Sequence, residues 1–111
     1  MKVLSDKEKE NIDAWLKSME TGASDFCSAT GSKKVREYLE GEAEAYGHIR
    51  KIFQEEEEVS YKLDEYLDHN ASAMARAKAR GEKNKAVGRY RATVLVFFTL
   101  NDVYENQEYR G

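Results

Sequence analysis

Between Arg76 and Arg91 the chain sets seven Lys or Arg residues against a single acid, Glu82, for a local charge of +6. The cations are Arg76, Lys78, Arg80, Lys83, Lys85, Arg89 and Arg91, and Tyr90 is interleaved among them. Phosphate groups are held by long cationic side chains of this kind, and Arg adds a planar fork that grips two oxygens at once. A turn over Gly81–Asn84 would also bring Lys83 and Lys85 to a helix N-terminus, where free N–H groups favour anions. The segment therefore predicts a site for a phosphate-bearing ligand, most simply a nucleotide. The plainer reading is a solvated helical face that balances acids such as Glu55–Glu58 or those of a partner subunit. Residues 1–75 carry ten Lys/Arg against seventeen Asp/Glu, so duplex DNA is disfavoured by repulsion from the rest of the surface.

A second set of residues could hold a metal. Glu37-x-x-Glu40 and Glu65-x-x-Asp68 place two carboxylate couples 24 residues apart on helical segments. This pattern is similar to that of the all-α nucleoside triphosphate pyrophosphohydrolases of the MazG and dimeric dUTPase type. The resemblance implies magnesium held against a nucleotide's phosphates by carboxylates on adjacent helices, with the metal activating water. It covers about 32 residues, and Arg36 stands where the family carries the first of its doubled glutamates. Against the apolar stripe of the same helices, Glu40 and Asp68 point away from the core.

Each histidine follows a glutamate by four residues, Glu44 before His48 and Glu65 before His69. Dinuclear carboxylate sites in helical bundles use a three-residue spacing, so paired surface side chains are the expectation here, with no metal and no cofactor. The single cysteine, Cys27, excludes an intramolecular disulfide and is read as an inert thiol.

Helices must position these residues. The chain has no proline, and Ala, Glu, Lys, Arg and Leu dominate it, which points to an all-α fold. Ser5 and Glu8 form a capping box for a first helix bearing Ile12, Trp15, Leu16 and Met19 on one face. Gly22 is expected to close it, leaving residues 22–32 as a loop with Phe26 tucked onto the core. Ser32 is a candidate cap for a second helix, whose apolar phase continues from Val35 to Ala77. That phase fits one long helix or two, and the four glutamates Glu55–Glu58 favour a break, with Ser60 capping the restart. Glu42, Glu56 and Asn70 interrupt the stripe and are read as setting register or oligomeric state. Gly81 is a natural terminator before a last helix from residue 84. Residues 93–100 could by periodicity be strand, but a lone strand has no partner in the chain.

The expected architecture is one all-α domain over residues 1–111: a small helical bundle of three to four helices. Its N-terminal helix packs on a long helical hairpin of residues 33–80 against residues 84–107. A thin core and an apolar last helix predict a homo-oligomer. Met1–Glu10 has no apolar signal-peptide core and Val94–Leu100 is too short to span a bilayer, so no membrane partner and a cytoplasmic location are expected. The leading functional expectation is a non-enzymatic binding protein, and it resembles in style the small helical accessory proteins of bacteriophages that sequester nucleotides or inhibit host factors. A protein-interaction module without a small ligand is the alternative, and the magnesium-dependent hydrolase a second one.

Overall fold

The computed structural model describes residues 5–55 and 58–109, with side chains as far as Leu100. The described residues form four helices, α1 (Asp6–Ala29), α2 (Lys33–Glu55), α3 (Val59–Arg76) and α4 (Arg80–Tyr109), with no strand among them. Residues 93–100 lie within α4, where the helix satisfies its own backbone groups and needs no neighbour.

Helix α1 starts as its capping box dictates. The Glu8 N–H donates to Ser5 Oγ and the Ser5 N–H to Glu8 Oε1, both at 3.2 Å. It does not stop at Gly22. The helix runs on to Ala29, with Ala23 buried and Cys27 half-buried. The small residues that read as a loop let these last turns lie close against α2, and packing overrides their weak propensity. Phe26 faces outward, 70 % exposed, not onto the core. Ser32 caps α2 as expected, accepting the Val35 N–H at 3.3 Å.

The long apolar phase is divided into two helices. Glu58 adopts left-handed backbone angles (φ 48, ψ 42) at the start of α3 and makes no side-chain cap. Ser60 lies inside α3 rather than capping it, and Glu56 falls outside the described residues. At the next junction α3 ends at Arg76 and α4 begins at Arg80, earlier than expected, so Gly81 sits in the first turn of α4 instead of terminating a helix.

Helix α2 is the centre of the molecule. Helix α1 packs antiparallel on one side of it and α4 on the other, while α3 packs on α4 and meets α2 beside their junction. The expected hairpin is therefore two different relations. Helix α4 follows α3 antiparallel, with Asn70 bonded to Thr93, but runs parallel to α2. Lys85 pairs with Glu40 and, four residues on in both helices, Arg89 pairs with Glu44. Two glycines permit that approach: a Cβ on Gly41 would strike the Lys85 carbonyl, and one on Gly88 the Tyr38 carbonyl.

The core joins Ile12 and Leu16 of α1, Ala45, Tyr46, Ile49 and Phe53 of α2, Leu63 of α3, and Ala92, Val96 and Leu100 of α4. Trp15 and Met19 pack against its edge. One polar pair enters the interior, Asn70 (1 % exposed) and Thr93, with Asn70 Nδ2 donating to Thr93 Oγ1 at 3.0 Å. Thr93 Oγ1 in turn donates to the Arg89 carbonyl at 2.7 Å. Asn70 thus sets the register of α3 on α4 within one chain.

Candidate functional site

The basic segment does not form one surface. Helical spacing and neighbouring acids divide it into three parts. Arg76 ends α3, its Nε donating to the Ser72 carbonyl at 3.3 Å, and Lys78 lies in the connection. Arg80 and Lys83 occupy the first turn of α4, and all four side chains are exposed. Lys85 and Arg89 turn onto α2 and are held there by carboxylates, Lys85 Nζ 3.3 Å from Glu40 and Arg89 Nη1 3.4 Å from Glu44. Arg91 emerges on the other flank of the α2–α4 contact, beside Tyr38 and Glu42, and Tyr90 is half-buried. Among the described residues the acids paired with Lys85 and Arg89 come from α2, while Glu55 is paired with Lys62.

The fold adds cations that a linear reading missed. The α1–α2 and α3–α4 connections lie at the same end of the bundle, because α2 and α4 are parallel and both begin there. Glu37 ties the two starts together, accepting from Asn84 Nδ2 at 3.0 Å with Gly81 beside it, and Lys33 Nζ is 4.0 Å from the same carboxylate. A shallow cleft of about 400 Å³ runs between Lys33 and Arg36 on α2 and Gly81, Glu82 and Lys85 on α4. Lys33, Lys34 and Arg36 therefore join Arg76, Lys78, Arg80 and Lys83. Residues 24–40 and 72–85, which make up this end, carry eight Lys/Arg against four Asp/Glu. That is +4 in a chain whose total is −3, leaving −7 on the remainder. The signal was present in Lys33-Lys34-x-Arg36, but only the parallel placement of α2 and α4 gives it meaning.

A second concave region lies between α2 and α3, a groove of about 820 Å³ with Arg89 at its floor. It collects both glutamate–histidine couples, Glu44 with His48 and Glu65 with His69. The first couple is divided between other partners: Glu44 is taken by Arg89, and His48 stacks on Tyr66 with ring centroids 4.1 Å apart. Burial and the Lys51 ammonium push the His48 imidazole below its ordinary value, so it is neutral near pH 7. The groove's cations are largely committed, since Lys62 Nζ is 2.9 Å from Glu55 and Arg89 is on Glu44. An anion entering here would compete with carboxylates already in place.

The four carboxylates that resemble a magnesium site are not brought together. Glu37 and Glu40 lie at the basic end against Asn84 and Lys85, whereas Glu65 lines the α2–α3 groove and Asp68 is exposed on α3. Because α2 and α3 are antiparallel and Tyr66 stacks on His48, Glu65 and Asp68 lie beside the middle of α2, about two turns or more from Glu37 and Glu40. Among the described residues no group of three or more His, Cys, Asp or Glu is placed to hold a metal ion. No described helix is long and apolar enough to cross a membrane. Comparison of the chain with protein-family models, with curated proteins and with solved structures finds no match.

Proposed function

We propose that the protein is a non-enzymatic binding protein that takes a phosphate-bearing ligand, a nucleotide in the first instance, at the basic end of the bundle. The observation that carries this reading is that the connection bearing Lys33, Lys34 and Arg36 and the one bearing Arg76, Lys78, Arg80 and Lys83 lie at the same end of the bundle, tied by Glu37 and Asn84. Eight cations against four acids leave this end at +4 in an acidic protein, and a ligand with several phosphate oxygens offsets that surplus.

Helix polarity points the same way. The first turn of α2 contains no acid, although negative charge is what stabilises a helix N-terminus. Lys33, Lys34 and Arg36 stand there instead, an arrangement that costs stability in the free protein and favours a bound anion. Residue by residue, the expected site keeps Arg76, Lys78, Arg80 and Lys83, gains Lys33, Lys34 and Arg36, and gives Lys85 and Arg89 a structural part. A cytoplasmic location accords with a nucleotide ligand.

Native mass spectrometry of the protein as purified, followed by calorimetric titration with ATP and with inorganic triphosphate, tests the reading. Binding of either should weaken roughly tenfold or more when Lys33, Lys34 and Arg36 are changed to Ala. The same loss should follow when Arg76, Arg80 and Lys83 are changed, given about 1.5–3 kcal/mol for a charge-assisted hydrogen bond. Arg91→Ala, on the other flank, should bind as the parent does. A parent protein that carries no adduct and binds neither probe would refute the reading, as would binding that survives both triple substitutions.

A further inference from the structure

We infer that two copies of this chain pair antiparallel through the face formed by α1, α2 and α4 opposite the α2–α3 groove. Contacts already described fix which side of each helix this is. Asp13 and Glu20 of α1 bond Arg50 of α2, with Arg50 Nε 3.0 Å from Asp13 and Nη1 3.2 Å from Glu20, and these define the polar side of the α1–α2 contact. Lys85 and Arg89 on Glu40 and Glu44 define the same side of the α2–α4 contact. At 100° per residue, Trp15, Met19 and Phe26 then fall on the opposite side of α1, and Leu95 and Phe98 on the opposite side of α4. Arg91 verifies the assignment, because it emerges there against Tyr38 and Glu42.

Four of the large apolar side chains left exposed lie on this one face: Phe26 at 70 %, Val35 at 45 %, Leu95 at 45 % and Phe98 at 60 %. Together they present roughly 400 Å² of apolar surface, taking 150–250 Å² for an aromatic side chain. They fall in two groups, Phe26 and Val35 beside the α1–α2 connection and Leu95 and Phe98 about four to five turns along α4, which an antiparallel pairing sets against each other. A standard interface takes about 800 Å² from each partner. The half-buried Trp15, Met19 and Tyr38 around the patch supply the remaining contact.

Charge selects a second copy as the occupant. The molecule is elongated, 47 × 28 × 25 Å, with +4 at the end where α2 and α4 begin and −7 over the rest of the chain. The opposite end, residues 5–13, 50–55, 58–63 and 99–109, carries nine Asp/Glu against five Lys/Arg, with Glu55 already paired to Lys62. A two-fold axis through the apolar face and perpendicular to the long axis lays the basic end of each copy beside the acidic end of the other. The same axis makes the contact isologous and closed, so the pairing ends at two. The face carries charges of both signs, Arg91 and Glu42 among them, which such an axis can exchange between copies.

Sedimentation velocity of the full chain over a wide concentration range tests this independently of any ligand. The expected result is a reversible dimer at twice 12.8 kDa. Leu95→Glu and Phe98→Glu should each weaken it roughly a hundredfold, from the loss of one buried apolar side chain and the burial of a charge in its place. Both positions are exposed in the single chain, so circular dichroism should show unchanged helix content. Tyr61→Glu, on the opposite side, should leave the dimer intact. A parent that remains monomeric at every concentration overturns the inference. So does a dimer that survives both substitutions or is broken by Tyr61→Glu. A parent that dimerises but binds neither phosphate probe would refute the proposed function alone.

Discussion

Two pairs of side chains show how far single residues decide the behaviour of this bundle. Asn70 and Thr93 meet in the interior with every buried side-chain polar atom among the described residues satisfied. Removing one partner strands the other, so Thr93→Val is expected to destabilise the protein by about 1–3 kcal/mol. The double variant Asn70→Leu, Thr93→Val should recover most of that loss, because neither polar group then remains to be desolvated. Urea unfolding of the four proteins in the cycle measures the coupling. His48 offers a test by pH. Burial holds its imidazole below the unfolded value of 6.5, so below that pH the unfolded chain takes up a proton that the folded chain refuses. Stability should therefore fall as pH drops from 6.5 toward the depressed folded value. Thermal unfolding at a series of pH values should show His48→Gln losing less over that window than the parent.

Among the elements, the α2–α4 contact has the sharpest requirement. Gly41→Ala and Gly88→Ala each introduce a methyl group where a facing backbone carbonyl already stands. Alanine gains about 1 kcal/mol in helix propensity over glycine, yet each substitution should cost about 2 kcal/mol or more as the two helices are forced apart. Gly22→Ala is the matched control, since nothing lies within 4 Å of its added methyl group. That variant should gain stability by about 0.5–1 kcal/mol, read by the shift in denaturation midpoint. These glycines also explain what the sequence could and could not disclose. Helix existence was legible because apolar spacing, the Ser5–Glu8 box and the absence of proline all act locally. The division near Glu58 was legible from four adjacent like charges. The length of α1 was not, because Ala23 and Cys27 become helix-forming only when α2 is there to pack against. The parallel run of α2 and α4 was not either, since a glycine inside a helix pattern reads as a weakness until the facing helix is known.

Across the whole molecule, charge was legible in amount but not in arrangement. The surplus between Arg76 and Arg91 was plain, but its division into an exposed end, a pair clamped to α2 and Arg91 on the other flank beside Tyr38 depends on which groups face which cations. Lys33, Lys34 and Arg36 belong to the same end only through the topology that sets the α1–α2 and α3–α4 connections side by side. That topology also governs how the chain finds its native state. Helices α1 and α2 are sequence neighbours and can zip together early, whereas α2 and α4 join residues 45 apart, as Glu44 and Arg89 do. Closing so long a segment loses more chain entropy than closing a hairpin. Docking α4 into the glycine notch of α2 is therefore the step expected to set the folding rate, with α3 carried along as the tether between them. With no proline in the chain, no peptide-bond isomerisation competes with that step, and refolding should be a single phase set by one helix finding its parallel partner.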